Sequence, residues 1–344
     1  MVLPSVLPTN TTSNTSECSA DSQSVYVAVF LCLVFLLGFC LNVFSLYVFC
    51  CRMSHWNSST VLQFNLALSD SVGTPAILMM VVHFANDGNW PFGVLLCHFK
   101  IVLLSMHFYG STTFLMLISI HRYVAVVHFN RSCPMKRKCF VKKLCVGIWL
   151  FLLTAGIIYS VLVPAGKEQE TMQCLNINQR GLSEQYLIIN FILLTFWFIL
   201  PFCTSAACYG GLVNSVARIN VKTLKGPSIK AKSLRMIGTC LLIFGLCFLP
   251  LHVTRTIGVM VVRYHPEKCD LLRKVETAYY VSLILGGINS CLDPLIYFFG
   301  TNSFRKTIRR SIKVVVSKRR IGNRSESETV TQSMNRIVID TIAK

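Results

Sequence analysis

Hydrophobic residues in this chain gather into long runs, without the period-2 alternation of a half-buried strand. Three runs contain no Asp, Glu, Lys or Arg: Val25–Cys51, Leu144–Gly166 and Gln185–Ala217. Four more are apolar around isolated charges, at about 59–85, 94–121, 234–262 and 276–299. Each run reaches the ~20 residues that cross a bilayer core of roughly 30 Å. Because backbone polar groups in lipid must be bonded internally, the pattern predicts seven membrane-spanning helices.

Composition excludes several other classes of protein. The 344 residues are 53% hydrophobic and only 14% charged, whereas a soluble domain carries about 25% charged residues. With 23 Phe and 11 Tyr, disorder is not the main state of the chain. A net charge of +19 is typical of nucleic-acid binding, but here it lies in the loops between apolar runs, so we expect no nucleic-acid partner. No catalytic motif such as His-Glu-x-x-His occurs, and we expect no enzymatic activity.

The distribution of Lys and Arg predicts the orientation of the spans. One set of loops and the carboxyl-terminal tail hold 25 Lys and Arg against three acids. Cytoplasmic loops carry such an excess of positive charge, and it attracts anionic membrane lipids. We therefore expect a multi-pass plasma-membrane protein with an extracellular amino terminus and a cytoplasmic carboxyl terminus.

The predicted fold is an all-α membrane protein, a seven-transmembrane helix bundle with a short amphipathic eighth helix. Residues 1–23 form an extracellular tail with glycosylation sequons at Asn10 and Asn14. Residues 24–300 form the transmembrane domain, 301–317 the amphipathic helix, and 318–344 a cytoplasmic regulatory tail.

Four cysteines fall on the predicted extracellular side: Cys18, Cys97, Cys174 and Cys269. Four cysteines allow three pairings. Cys97 opens the third span and Cys174 lies in the second outer loop, so these two can meet. Cys18 and Cys269 are then left for each other. The alternative is four free thiols, which is uncommon in an oxidising compartment.

Short motifs occur in order, each within its own span. They are Asn42; Asn65-Leu-Ala-Leu-Ser-Asp70; Cys97; His121-Arg122-Tyr123; Trp149 and Pro164; Pro201 and Tyr209; Phe244 and Cys247-Phe-Leu-Pro250; and Asn289-Ser-Cys-Leu-Asp-Pro-Leu-Ile-Tyr297. Together they resemble the rhodopsin-like (class A) G-protein-coupled receptors over nearly the whole chain. The resemblance implies a cell-surface receptor that binds an extracellular ligand and activates heterotrimeric G proteins. A decoy receptor that binds ligand without signalling is the alternative, and ligand-dependent G-protein activation discriminates the two.

The resemblance also assigns residues to G-protein contact and activation. They are Arg122, Tyr123, Tyr209, Phe248, Pro250, Asp293, Pro294 and Tyr297. Pro201, Pro250 and Pro294 each interrupt a helical hydrogen-bond ladder, and we expect kinks there. His121 and Lys230 stand where relatives carry the acidic partners of Arg122, so we expect a weakly restrained inactive state.

Four residues resemble the sodium pocket of this family: Asp70, Ser111, Asn289 and Asp293. Their oxygen atoms suit a hard cation, and an allosteric sodium ion is the one cofactor that the resemblance implies. The alternative is an interhelical hydrogen-bond network without sodium.

The ligand site resembles the metabotropic purinergic (nucleotide) branch. The matching segments are His121-Arg-Tyr123, Phe108-Tyr-Gly-Ser111 and Leu251-His-Val-Thr-Arg-Thr256. In that branch the residues matching His252 and Arg255 project into the pocket, and a planar guanidinium suits phosphate or carboxylate. We expect a small, nucleotide-like anion as ligand, with Lys100, Tyr109 and Tyr280 as further contacts.

Two positions depart from that branch. Ile101 and Leu283 stand where nucleotide receptors carry cations, and Lys100 is one residue away from its expected place. Arg255 alone neutralises a triphosphate poorly. A lysophospholipid, a fatty-acid derivative or a small carboxylate is therefore the alternative ligand.

The tail after the last span carries candidate regulatory residues. Ser325, Ser327 and Thr329 lie beside acidic residues, a pattern that suits receptor kinases and then arrestin as partners. Many relatives anchor the eighth helix by a palmitoylated cysteine, but no cysteine follows Cys291 in this sequence.

Overall fold

A computed structural model describes residues 24–86, 89–127, 133–162, 166–168, 171–174, 183–218, 226–300 and 304–310. The predicted sequons at Asn10 and Asn14 and the phosphorylation sites at Ser325, Ser327 and Thr329 lie outside these residues. The α-helices are Ser24–Tyr47, Ser58–Val72, Thr74–Ala85, Gly93–Val127, Lys138–Leu162, Ser183–Leu194, Leu200–Arg218, Gly226–Ile243, Leu249–Tyr264 and Cys269–Gly300. Residues 304–310 are also helical, as expected for the start of an eighth helix.

Among the described residues, seven helical segments are long and apolar enough to cross a membrane, so the predicted number of spans is confirmed. In chain order, the first to seventh spans are Val25–Arg52, Ser58–Ala85, Gly93–Val127, Lys138–Leu162, Glu184–Ser215, Lys230–Tyr264 and Cys269–Phe298. The fourth span begins six residues before the predicted apolar run, because long Lys side chains can extend to the polar boundary while their backbone stays helical. The second span breaks at Gly73, ahead of a proline at the start of the next helix.

A small hairpin that the hydrophobic pattern did not predict follows the fourth span. Strand β1, Gly166–Glu168, pairs antiparallel with strand β2, Thr171–Gln173, and Lys167 lies opposite Met172. Strands of three residues are too short to show an alternating pattern. The predicted all-α seven-helix bundle is confirmed, and the hairpin is a small addition in the outer loop.

Prolines in the fifth and sixth spans follow π-helical segments, Thr195–Ile199 and Phe244–Phe248. A proline lacks an N–H, and its ring clashes with the carbonyl four residues earlier. That carbonyl belongs to Trp197 before Pro201 and to Leu246 before Pro250, so it lies inside the π segment in both cases. The wider turn accommodates the ring at both prolines.

The seventh span handles its proline differently, because Pro294 lies inside the continuous helix Cys269–Gly300. Pro294 leaves the carbonyl of Ser290 without its helical donor. The side-chain amide of Asn42 in the first span donates to that carbonyl at 2.7 Å. The same amide also donates to the carbonyl of Gly38 at 3.0 Å, so one asparagine ties the first and seventh spans together.

The first and seventh spans approach closely at Gly38. A Cβ placed there would lie 2.8 Å from the Cβ of Ser290. At Gly147, on the fourth span, an added Cβ would meet nothing within 4 Å. Alanine substitutions at these two glycines therefore distinguish the effect of close helix packing from the effect of helix propensity.

We predict that Gly38→Ala destabilises the receptor by about 1–3 kcal/mol, because overpacking forces the two backbones apart. Gly147→Ala is the matched control and should be neutral, or stabilising by up to ~1 kcal/mol, because alanine is the better helix former. The measurement is gel filtration of detergent-solubilised receptor after a heating series. Equal thermal-unfolding midpoints for Gly38→Ala and wild type would show that the first and seventh spans are packed less closely at Gly38 than described.

Candidate functional site

Polar side chains converge at three levels of the bundle. We call the level near the second outer loop the Arg255 end, and the opposite level the Arg122 end. The third lies between them, around Asp70. Each level takes residues from several spans, so none is visible as a continuous stretch of sequence.

A disulfide joins Cys97, in the first turn of the third span, to Cys174, directly after β2. This predicted bond is present, and Trp90 and Ile101 pack around it. Cys269 is also disulfide-bonded, while its predicted partner, Cys18, lies outside the described residues. The disulfide holds the outer loop against the third span at the Arg255 end.

Lys100 lies beside this disulfide. Its ammonium donates to the carbonyl of Cys174 at 3.0 Å and lies 4.4 Å from the centre of the Trp90 ring. The side chain is 2% exposed. In this arrangement Lys100 holds the outer loop, so its predicted ligand contact would require these interactions to be replaced.

Arg255 on the sixth span is half-buried among tyrosines. Its Nη2 donates to the hydroxyl of Tyr159 at 2.6 Å, and its Nη1 donates to Tyr109 at 3.5 Å. Tyr279 also lies near this guanidinium. Within the described ranges, no carboxylate forms an ion pair with Arg255. A cation held by neutral phenols keeps its charge available to an anion.

Sequence reasoning missed Tyr159 and Tyr279. The available signal was weak: Tyr159 is the one tyrosine in the uncharged run Leu144–Gly166. Nothing in the run indicates which face of the fourth span meets the sixth. Only the helix packing shows that this hydroxyl reaches Arg255.

His252 lies one turn from Arg255 and is 5% exposed. Its ring packs on Phe198 of the fifth span, with the ring centres 5.2 Å apart. Beside it, the amide of Asn190 donates to Thr256 at 2.9 Å, while the amide oxygen of Asn190 is buried and accepts no hydrogen bond among the described residues. His252 is thus on the fifth-span side of the predicted pocket.

Tyr280 faces another side of the bundle from Arg255. Its hydroxyl donates to Glu276 at 2.6 Å, and its ring meets Phe84 of the second span edge-on at 5.0 Å. Leu283 lies one turn deeper in the same apolar cluster. The structure therefore brings Tyr109 and Arg255 together and leaves Tyr280 in a separate cluster.

The middle level contains the four predicted sodium ligands. Ser111 donates to Asp293 at 3.1 Å, and Asn289 donates to Ser111 at 2.9 Å. Four buried oxygen atoms accept no hydrogen bond in the described part of the chain: both carboxylate oxygens of Asp70, Oδ1 of Asp293 and Oδ1 of Asn289. His107, which sequence reasoning did not identify, places Nδ1 3.8 Å from Asp70.

These unpartnered oxygens fit a hard cation. Buried carboxylates without a counter-charge are costly, and carboxylate and amide oxygens suit sodium-like ions. Asp70, Asp293, Asn289 and Ser111 are therefore the residues that would hold such an ion.

The Arg122 end is organised by two serines at the start of the second span. Arg122 Nη2 donates to Ser59 at 2.7 Å, and His121 Nε2 shares a 2.9 Å hydrogen bond with Ser58. Both serines are buried. Ser58 and Ser59 of the second span thus hold His121 and Arg122, the motif that lacks the usual acidic partners in the sequence.

The remaining predicted activation residues lie on the third, fifth, sixth and seventh spans. Tyr297 packs edge-on against Phe49 at 5.5 Å, and its hydroxyl lies 3.5 Å from Asn42. Phe248 is buried and lies 5.9 Å from the Phe244 ring. Tyr209 and Tyr123 pack in one cluster between the third, fifth and sixth spans.

Comparison with known proteins matches residues 41–297 to the family described as 7 transmembrane receptor (rhodopsin family). Purinoceptor 2 of Mus musculus is 32% identical over 279 residues, covering 81% of this chain and 74% of that receptor. Purinoceptor 4 of Rattus norvegicus is 32% identical over 280 residues, covering 80% and 76%. Purinoceptor 1 of Gallus gallus is 28% identical over 327 residues, covering 94% and 89%.

Proposed function

Because the chain belongs to the rhodopsin family of seven-transmembrane receptors, we propose that it binds a small extracellular anion at the Arg255 end and activates a heterotrimeric G protein at the Arg122 end. As a member of this family it is a multi-pass membrane receptor and not an enzyme. The proposed orientation places the amino terminus and the Arg255 end outside the cell, which agrees with the excess of Lys and Arg in the opposite loops.

The observation that carries this proposal is the guanidinium of Arg255 among tyrosine hydroxyls. Arg presents two parallel N–H donors in one plane, and these can bond to two oxygens of the same phosphate or carboxylate. Phenol donors beside it can add hydrogen bonds to the same anion. The similarity to purinoceptors supports a nucleotide-like ligand.

A second candidate is a ligand with a single anionic group, such as a lysophospholipid, a fatty-acid derivative or a small carboxylate. Lys100 already bonds to the outer loop, and Ile101 and Leu283 are buried apolar residues. Arg255 is thus the one cation that the described residues offer to this proposed pocket. One guanidinium balances one or two negative charges better than the several charges of a triphosphate.

At the opposite end, the contact between Arg122 and Ser59 supports a restrained state of the receptor. A guanidinium that donates to Ser59 is turned toward the second span. Arg122 would have to give up this contact to meet a G protein. Ser59 would then take the restraining role that the resemblance gives to an acid.

The middle level supports an allosteric sodium ion between the two ends. The ion would offset the paired carboxylates of Asp70 and Asp293, which neighbour each other in the bundle. Receptor kinases and arrestin remain expectations for the carboxyl-terminal tail, which lies outside the described residues.

The ligand proposal is tested by a panel of nucleotides, lysophospholipids and carboxylates on cells that express the receptor, with G-protein activation as readout. For the most potent compound, Arg255→Ala should reduce potency roughly ten- to a hundredfold, since a charge-assisted hydrogen bond contributes about 1.5–3 kcal/mol. Arg255→Lys should recover only part of this loss, because the planar fork is absent.

Arg263→Ala is the matched control, since Arg263 lies on the same span but is exposed. It removes the same charge without affecting Tyr109 or Tyr159, because Arg263 stacks on Tyr264 instead, and it should leave potency nearly unchanged. An unaltered dose–response curve for Arg255→Ala at equal surface expression would contradict the proposed anion site. Potency restricted to triphosphates would contradict the single-anion candidate, and binding without activation would indicate a decoy.

Ser59→Ala should raise ligand-independent G-protein activation by up to about tenfold. Removing a hydrogen bond to a charged group shifts a two-state equilibrium by about that factor. Ser45→Ala is the control, because the Ser45 hydroxyl is also buried but donates to Leu41 within its own helix. Basal activity of Ser59→Ala equal to that of both wild type and the control would rule out the restraint.

Replacing NaCl by choline chloride at equal ionic strength should increase agonist affinity, if sodium stabilises the restrained state. By linkage, the agonist weakens sodium binding by the same factor. Asp70→Asn should abolish this sodium dependence. A sodium effect that persists in Asp70→Asn, or none in wild type, would leave the middle level as a hydrogen-bond network alone.

A further inference from the structure

The first span ends on two adjacent, exposed thiols at the Arg122 end. Cys50 and Cys51 lie in the π-helical segment Val48–Arg52, and both are free cysteines. In the same turn Val48 and Phe49 are buried, so the two thiols face away from the bundle. We infer that Cys50 and Cys51 form a site of S-acylation by a long-chain fatty acid.

The depth of the two thiols favours this modification. Arg52 is exposed and is the first charge after the uncharged run of the first span. At a rise of about 1.5 Å per residue, Cys50 and Cys51 lie within ~3 Å of that charge along the helix axis. An acyl chain attached at this level passes straight into the hydrocarbon, and juxtamembrane cysteines are typical sites of reversible S-acylation.

The other exposed free cysteines of the described residues are less well placed. Cys40, also on the first span, lies twelve residues before Arg52, or ~18 Å deeper in the bilayer. Cys203 lies within the fifth span, close to Pro201. Cys139 is at the Arg122 end, but it lies five residues, or ~8 Å, before the uncharged run that begins at Leu144.

The start of the eighth helix lies next to Cys50 and Cys51. The ring of Phe49 lies 5.0 Å from that of Phe304 and is itself buried. Residues 304–310 carry four cations: Arg305, Lys306, Arg309 and Arg310. The first span therefore brings its thiols next to a basic surface segment.

A lipid chain and a basic patch complement each other at a membrane. One acyl chain alone gives marginal, reversible binding, and stable anchoring takes a second signal such as a polybasic segment. The first span thus offers a lipid anchor directly beside this basic segment.

The chemistry is an acyl transfer between sulfur atoms. The thiolate of Cys50 or Cys51 attacks the carbonyl carbon of a long-chain acyl thioester donor. The new carbon–sulfur bond forms as the donor's carbon–sulfur bond breaks, and the donor thiol leaves with the proton that the cysteine released. Nothing is oxidised or reduced, and hydrolysis of the thioester reverses the modification.

The experiment labels cells that express the full-length receptor with an alkyne-tagged palmitate analogue. After purification, the tag is quantified before and after neutral hydroxylamine, which cleaves thioesters. The variants are Cys50→Ser with Cys51→Ser, and the matched controls Cys40→Ser and Cys139→Ser. Mass spectrometry of the wild-type peptide that contains residues 48–52 locates the acyl group without any variant.

We expect hydroxylamine-sensitive label on wild type and on both controls, and its loss in the double variant at equal surface expression. Label that persists in the double variant, or an unmodified 48–52 peptide, would overturn the assignment. The inference depends on the proposed orientation, with the Arg122 end in the cytosol. Ligand-dependent G-protein activation in the same cells tests that orientation separately, so activation without label refutes the acylation alone.

Discussion

Water is absent from the hydrocarbon core of a bilayer, so each backbone N–H and C=O of a span needs a partner within the protein. Prolines in the last three spans remove donors that this rule requires. Beside Pro201 and Pro250 the helix widens into a π turn. The residue that begins the next α-helix donates its backbone N–H to the carbonyl five residues earlier. At Pro294 the amide of Asn42 replaces the missing donor from another span. The same constraint thus widens two spans locally and joins two others.

The charged residues inside the bundle follow from the same absence of water. An ionisable side chain at membrane depth is expensive and is usually functional. Arg255 meets phenols, Arg122 meets a serine, and Asp70 meets a second carboxylate with unpartnered oxygens around it. Within the described residues no carboxylate forms an ion pair with Arg255, while Asp70 lies 3.8 Å from Nδ1 of the buried His107. The proposed ligand and sodium ion would supply the opposite charge at Arg255 and at Asp70.

All three levels share the third span, which is an unbroken helix from Gly93 to Val127. It carries Tyr109 at the proposed ligand site, Ser111 at the middle level and Arg122 at the opposite end. Tyr109 and Arg122 are thirteen residues apart, or ~20 Å along the axis. The fifth and sixth spans, each with a π segment, pack against this continuous helix.

The sequence alone determined the number of spans, the separation of charge between the two sides, and the identity of most polar residues at the three levels. Those features depend on hydrophobic length, on loop composition and on short motifs, which are local properties. The structure confirmed the seven helices and the bond between Cys97 and Cys174.

Tertiary structure alone decided which polar groups meet. The rotation of each helix about its axis is set by packing against its neighbours, and no local pattern records it. Lys100 therefore turned out to bond to the outer loop, Tyr280 to Glu276, and Arg255 to the unforeseen Tyr159. Ser58 and Ser59 look like ordinary helix-start residues in the sequence. They become partners of His121 and Arg122 only because the second and third spans cross at that level.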